Sequence, residues 1–337
     1  MHAPQIATRI LLTLGLSSAL VGCGSSSSTS SEPVDAEAND GAIDGKGESG
    51  VDTAVDVVVD SGRDADAVAE TFPCPRRPFL VGAEPRAGGA VVRSDWSKRL
   101  KAHDSSIDPH TARLLSAAWL DDARHEHASI AAFARFTMLA LAVGAPPEVI
   151  EGSQRASLDE VGHARDCFAL AHRYGGVQHG PGALSLEGAL HPLSLAELAA
   201  LTVHEGCVGE TIGVFVAAEQ RRIARDPEVG AILERLVRDE MRHAELAWSF
   251  VRWAIAQGGA SVRAAVRRAF EQAAEATTSM SGVDDPRLDV ATWNAHGRLT
   301  ASETKSIVAR GLREIVGPCA RALLADRDAR PEVTKQR

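Results

Sequence analysis

The sequence contains the motif Asp-Glu-x-x-His twice, at residues 159–163 and 239–243. A lone glutamate precedes the glutamate of each copy by a similar distance, 34 residues for Glu126 and 35 residues for Glu205. Residues three positions apart project to the same side of an α-helix, so each copy places one carboxylate and one imidazole on one face. The repeated spacing therefore constrains the chain to helices that bring these side chains to a common centre.

The chain from residue 108 onward predicts an all-α fold. Asp108 is a helix N-cap followed by Pro109 at the first helical position. Ser194 and Glu197 form a capping box at the start of a later helix. The predicted helices cover about 109–142, 147–174, 194–226, 227–258, 260–279 and 302–325, with a long Gly- and Pro-rich crossover at 177–192.

The motif glutamates and histidines lie on apolar helical stripes. The face of Glu240, for example, also carries Leu233, Leu236 and Ala247, and apolar stripes face the core. An unpaired carboxylate there would cost several kcal/mol, and clustered carboxylates would also repel each other. Two divalent cations would remove both costs, with the histidines as neutral nitrogen ligands.

An aspartate precedes each motif histidine by four residues. Asp159 lies before His163 and Asp239 lies before His243. Each aspartate is predicted to accept the hydrogen bond from the ring nitrogen of its own histidine that does not bind metal, which fixes the orientation of the ring.

Residues 110 to about 256 resemble the ferritin-like di-iron superfamily, which includes rubrerythrins, bacterial multicomponent monooxygenases, acyl carrier protein desaturases and tRNA hydroxylases. The resemblance implies a ferritin-like four-helix bundle of two helical hairpins over residues 109–257, joined by the long crossover and followed by accessory helices and a tail over residues 258–337. It implies two iron ions, or manganese or a mixed pair. The ligands that it implies are Glu126, Glu160, His163, Glu205, Glu240 and His243.

The third helix offers two acids for one ligand position. Glu205 and Glu210 lie five residues apart, which is about 140° around a regular α-helix. A single π-bulge would absorb the one extra residue of this half and bring both acids onto one face. We predict that bulge, with Glu205 as the ligand and Glu210 as a second acid at the site. The alternative is that Glu210 pairs with an arginine elsewhere.

The resemblance implies oxidation chemistry. A ferrous pair can bind and reduce dioxygen or peroxide, and a reductant of unknown identity would have to supply electrons. One alternative is a ferroxidase or metal-binding protein without an organic substrate, and another is a bundle that keeps the fold with little chemistry. Nucleic acid is not an expected partner, because the domain from residue 72 onward is about neutral.

The first 22 residues predict a bacterial lipoprotein signal peptide. Arg9 precedes a short apolar run at 10–21, and residues 20–23 resemble a lipobox that ends in Cys23. Cleavage before Cys23 and its lipidation would leave an exported protein anchored to a cell-envelope membrane, on the periplasmic or outer-membrane face. The alternatives are an ordinary signal peptide with a chance cysteine, or a chance apolar start.

Residues 23–71 predict a lipid anchor and a disordered linker. From residue 24 to 71 the chain has twelve acidic and two basic residues and no aromatic residue, so it cannot bury enough apolar surface to offset its chain entropy. This linker accounts for the net charge of −9 of the whole chain. In the N-terminal extension that follows, residues 72–108, we predict that Cys74 pairs with Cys319, one of three pairings that four cysteines allow.

Overall fold

The computed structural model describes residues 1–14, 77–82, 84–98, 100–101, 107–278 and 284–325, and these are mostly helical, which confirms the all-α prediction at that level. Its elements, in chain order, are helix α1 (Ala3–Thr13), strands β1 (Leu80–Val81), β2 (Glu84–Pro85) and β3 (Ala90–Val92), helices α2 (Pro109–Ala142) and α3 (Pro147–Gly175), strand β4 (His179–Pro181), helix α4 (Leu195–Thr202), a first π-helical segment (Val203–Glu210), helices α5 (Thr211–Ile223), α6 (Pro227–Thr278), α7 (Val290–Ala295) and α8 (Ala301–Gly311), a second π-helical segment (Leu312–Val316) and helix α9 (Gly317–Ala325).

The predicted caps fix where the long helices begin. The carboxylate of Asp108 accepts hydrogen bonds from the backbone N–H groups of His110 at 2.9 Å and Thr111 at 3.0 Å. At the start of α4, Ser194 Oγ accepts from the Glu197 backbone N–H at 3.3 Å, and the Glu197 carboxylate accepts from the Ser194 N–H at 2.8 Å. These caps satisfy N–H groups that have no partner inside a helix.

Two helix pairs form the centre of the fold. Helix α2 packs along α3, and the continuous run of α4, the first π-helical segment and α5 packs along α6. Helices α3 and α6, which carry the two Asp-Glu-x-x-His copies, also pack against each other. The two motifs therefore face each other between the pairs.

The predicted break at Gly258–Gly259 is present inside α6. Gly259 has non-helical backbone angles, with φ of 60° and ψ of −134°, so the range Pro227–Thr278 consists of two helices on either side of a kink. Glycine adopts a positive φ without the steric cost of a Cβ atom, so the chain can bend there. The part of α6 beyond Gly259 is the separate helix predicted over 260–279.

The N-terminal extension contains one short antiparallel hairpin and forms a second short antiparallel ladder with the crossover. Strands β1 and β2 form a hairpin, and β3 pairs with β4 in the crossover, with Ala90 opposite Pro181 and Val92 opposite His179. Strands of two or three residues are too short to show an alternating pattern, so the sequence did not predict them.

The first residues form a helix that packs into the apolar core. Ile6 and Ile10 of α1 are fully buried, and the helix contacts α6, the second π-helical segment and α9. Arg9 forms an ion pair with Glu245 at 2.8 Å. The predicted removal of residues 1–22 stays a prediction. Within the described residues, no helix has both the length and the apolar character that are needed to cross a membrane.

Several predictions concern residues outside the described part of the chain. The lipidation site Cys23, the linker up to residue 71 and Cys74 all lie there. Cys319 is described as a buried free thiol whose Sγ lies 3.9 Å from the carbonyl oxygen of Ala7.

Candidate metal centre

The seven predicted site residues lie on four neighbouring helical segments, and all are buried. Their exposed fractions are between 0 and 2%. Helix α2 carries Glu126, α3 carries Glu160 and His163, the first π-helical segment carries Glu205 and Glu210, and α6 carries Glu240 and His243.

The structure brings six of these residues into two overlapping groups. Within each group, one possible ligand atom from every residue lies within 4.8 Å of the others. Glu126, Glu160, His163 and Glu240 form what we call the Glu126 group, and Glu160, Glu210, Glu240 and His243 form the Glu210 group. Glu160 and Glu240 belong to both groups, so their carboxylates lie at the centre of the site.

The ring nitrogens that face the centre are the Nδ1 atoms. His163 Nδ1 lies 3.5 Å from Glu160 Oε2 and 3.4 Å from Glu240 Oε1. His243 Nδ1 lies 3.2 Å from Glu160 Oε1 and 3.4 Å from Glu240 Oε2. The rings of Phe133 and His243 pack in a T-shaped arrangement, with 5.0 Å between ring centroids.

The central atoms suit a cation. Among the described residues, both Nδ1 atoms, Glu160 Oε2 and Glu240 Oε2 are buried without a hydrogen-bond partner. Buried polar atoms are almost always paired in native proteins, so a cluster without partners needs an explanation. Carboxylate oxygens and imidazole nitrogens are metal donors, and a bound metal ion would satisfy them.

The acidic and basic groups strongly affect each other's protonation. Burial alone would raise the pKa of Glu240, but the nearby rings of His163 and His243 lower it well below its usual value. Burial alone would lower the pKa of each histidine, but hydrogen bonds to carboxylates raise both pKa values well above the usual range. The metal-free site therefore holds protons where a cation would bind.

Each motif aspartate pairs with the histidine of the other helix. His163 Nε2 lies 3.1 Å from Asp239 Oδ2, and His243 Nε2 lies 3.2 Å from Asp159 Oδ2. This corrects the predicted pairing within one motif. Because each Nδ1 faces the shared carboxylates, each Nε2 is directed toward the neighbouring helix and meets the aspartate there. Arg242 lies 2.9 Å from each aspartate and links the two pairs on their exposed side.

Glu205 lies away from the two groups. Its carboxylate accepts a short hydrogen bond from Arg135, and the Leu80 backbone N–H donates to Oε1 at 3.2 Å. Arg77 Nη2 lies 3.4 Å from Glu205 Oε2. The structure thus gives Glu205 the arginine partners that the sequence analysis considered for Glu210, and it does not bring Glu205 to the predicted ligand position.

Glu210 lies in the position that was predicted for Glu205. It is fully buried, and within the described part of the chain neither of its oxygens has a hydrogen-bond partner. Its nearest cationic atom is Arg77 Nη1, 3.8 Å from Oε1. Burial and then the charge of Glu240 raise the pKa of Glu210 well above its usual value. A cation bound beside Glu210 would remove this penalty.

The predicted π-bulge is present. The segment Val203–Glu210 is π-helical and lies between α4 and α5. It turns both acids into the interior, as the extra residue in this half of the chain predicts. Gly206 allows the close approach of this segment to α6, because a Cβ atom there would lie 2.4 Å from Ala247 Cβ.

The arginines of the site carry little signal in the sequence. Arg135 lies within α2 and has no distinctive neighbours, and Arg77 belongs to the extension before the bundle. A buried arginine needs a carboxylate partner. The second acid on the third helix was therefore the one feature of the sequence that could indicate a buried arginine at the site. Comparisons of this chain with protein-family models, with curated proteins and with solved structures give no match.

Proposed function

We propose that this chain is a ferritin-like di-metal carboxylate protein that activates dioxygen or peroxide for an oxidation reaction. The observation that carries the proposal is the sharing of Glu160 and Glu240 between the two groups. Glu160 and Glu240 would help to hold both ions, and one further glutamate and one histidine would hold each ion, as in di-metal carboxylate bundles. Glu210, rather than Glu205, takes the ligand position on the third helix in this proposal.

The charge of the site supports two divalent cations. The four glutamates of the two groups carry four negative charges when all are ionised, in an interior where uncompensated charge is costly. Two divalent cations balance this charge. Oxygen donors with one imidazole per ion suit iron, manganese or a mixed pair.

The residues of the chain would prepare the site for redox chemistry. When bound, the ions supply a redox couple and open positions for dioxygen or peroxide. The glutamates would hold the ions, and Asp159 and Asp239 would fix the tautomer and orientation of the two histidines. Electrons would come from a reductant that is yet to be identified.

A ferroxidase or metal-binding role without an organic substrate is the second candidate. The exposed fraction of every residue in the two groups is 2% or less. Such burial favours small reactants, such as dioxygen, peroxide or the metal ion itself, over a bulky organic molecule. In either role, the resemblance of residues 20–23 to a lipobox supports attachment to a cell-envelope membrane through Cys23.

Metal loading of the full chain tests the proposal. Anaerobic titration of apoprotein with ferrous iron should give two ions per chain, and stopped-flow absorbance after mixing with dioxygen should report their oxidation. Glu160→Ala and Glu240→Ala should each abolish two-ion binding, since each removes a carboxylate common to both groups. Glu151→Gln is the matched control, because Glu151 lies on α3 with a side chain that is 67% exposed.

The outcomes separate the candidates. Repeated oxygen consumption with an added reductant supports an oxidation enzyme, whereas one oxidation cycle followed by release of ferric ion supports a ferroxidase. Binding of fewer than two ions per chain would refute the di-metal site. Unchanged metal content in both alanine variants would refute the assignment of the ligands.

A further inference from the structure

A buried arginine from outside the bundle reaches the metal centre. Arg77 is 3% exposed and belongs to the extension that precedes α2 by more than thirty residues. It contacts both acids of the first π-helical segment: Nη2 lies 3.4 Å from Glu205 Oε2, and Nη1 lies 3.8 Å from Glu210 Oε1. One guanidinium therefore connects the two carboxylates that compete for the ligand position on the third helix.

The position of Arg77 is fixed from several directions. Its guanidinium lies over the rings of Phe133 at 4.3 Å and Phe136 at 5.2 Å, where cation–π attraction adds to the ion pairs. Its carbonyl oxygen accepts a hydrogen bond from Ser129 Oγ at 2.7 Å. With both its backbone and its side chain held by α2, Arg77 can act as a fixed charge toward the π-helical segment.

The two acids differ in how many partners they have. Glu205 has three partners, which are Arg135, the Leu80 N–H and Arg77, and two of them can form charge-assisted hydrogen bonds with a carboxylate. Among the described residues, Glu210 has one arginine contact, the longer one to Arg77, and its carboxylate lies within 4.8 Å of possible ligand atoms of the other members of its group. The arginines thus occupy one carboxylate and leave the other available to a cation.

We propose that Arg77 is a positioning residue that holds Glu205 as a counter-ion and leaves Glu210 to bind the ion of the Glu210 group. This inference rests on the proposed di-metal function. It adds that the N-terminal extension takes part in the site, because Arg77 lies in this extension and supplies the charge that separates the roles of the two acids.

Titration of the full-length apoprotein with Co²⁺ tests this role. The visible absorption of bound Co²⁺ depends on the ligands of each ion and therefore reports a change at either one. Arg77→Gln should lower the affinity for the ion of the Glu210 group by about tenfold and should change the absorption spectrum of that ion. Tenfold is the lower end of the loss in metal affinity that follows removal of an outer hydrogen-bond partner. The ion of the Glu126 group should keep its affinity. Arg77→Lys keeps the charge and should restore most of the lost affinity.

Two matched variants isolate the effect. Arg93→Gln removes a guanidinium of the same extension that is 42% exposed and pairs with Asp95, so it should leave both ions unchanged. Glu205→Gln should still bind two ions, because Glu205 is not a ligand in this proposal, whereas Glu210→Gln should lose the second ion or bind it at least tenfold more weakly.

A double variant distinguishes positioning from a general loss of structure. If Arg77 acts through Glu210, Arg77→Gln should weaken binding no further in a chain that already carries Glu210→Gln. Three results would each overturn the proposal. The first is that the losses of affinity from the two substitutions multiply in the double variant. The second is an unchanged Co²⁺ spectrum of Arg77→Gln in a chain with wild-type helical circular dichroism, and the third is loss of the second ion in Glu205→Gln instead of Glu210→Gln. Fewer than two Co²⁺ ions in the wild-type chain would instead refute the di-metal function itself.

Discussion

Replacing Asp159 with alanine should weaken metal binding at the Glu210 group, although Asp159 lies on the same helix as His163. Asp159 Oδ2 lies 3.2 Å from His243 Nε2, so it orients the histidine of the opposite helix. Loss of such an outer hydrogen-bond partner costs about 10- to 100-fold in metal affinity, because the histidine loses its fixed tautomer and orientation.

The exposure of the aspartate sets the magnitude within this range. The side chain of Asp159 is 25% exposed, so water can replace part of the lost hydrogen bond. We therefore expect the lower end, about tenfold, which corresponds to about 1.4 kcal/mol. The same reasoning predicts a similar effect of Asp239→Ala on His163, since the side chain of Asp239 is 17% exposed.

Double-mutant cycles measure which histidine each aspartate orients by its hydrogen bond. Dissociation constants for Co²⁺ are compared for Asp159→Ala alone and combined with His243→Gln or His163→Gln. The cycle with His243 should show a coupling of about 1.4 kcal/mol, and the cycle with His163 should be additive to within about 0.5 kcal/mol. Coupling to His163 instead of His243 would refute the crossed arrangement.

Three further outcomes follow from the site, the π-helical segment and α1. The two site histidines and Glu210 have raised pKa values, so a metal ion must displace the protons that they hold. Metal binding should therefore release protons and weaken as the pH falls, which calorimetry in buffers of different ionisation enthalpy measures. A pH-independent affinity would contradict this. Gly206→Ala should lower the free energy of unfolding by about 2 kcal/mol in chemical denaturation, because the new Cβ would lie 2.4 Å from Ala247 Cβ. Gly162→Ala is the control. A Cβ at Gly162 would have no atom within 4 Å, so this variant should not destabilise the chain. Burial raises the pKa of Cys319 to about 12, and removal of α1 should expose this thiol to a labelling reagent. The Cys319→Ser variant identifies which labelling signal belongs to Cys319. Equal labelling with and without α1 would refute the packing of α1.

Local sequence signals predicted the helices and the centre of the site well. Asp108 and Ser194 cap helices as expected, since a cap depends only on residues within one turn. The π-helical segment followed from counting one extra residue before Pro227. The burial of Glu160 and Glu240 followed from their apolar stripes, because the helical period decides which side chains face the core.

The partners of these residues could not be predicted, because they depend on contacts between segments that are distant in sequence. The choice between Glu205 and Glu210 depends on Arg77, which lies in an extension without periodicity. The pairing of Asp159 with His243 depends on how α3 and α6 are rotated against each other. A spacing of four residues within one helix gives no information about that rotation.

The crossed aspartate–histidine pairs determine the smallest unit that can form the site. In each helix pair, the histidine is oriented by an aspartate of the other pair. Asp159 contacts His243, and Asp239 contacts His163. A shorter chain with a single helix pair would need a second copy, related by an approximate two-fold axis, to orient any ligand. Joining both pairs in one chain gives each an effective concentration of its partner on the order of millimolar, so the site can assemble in a monomer at any dilution.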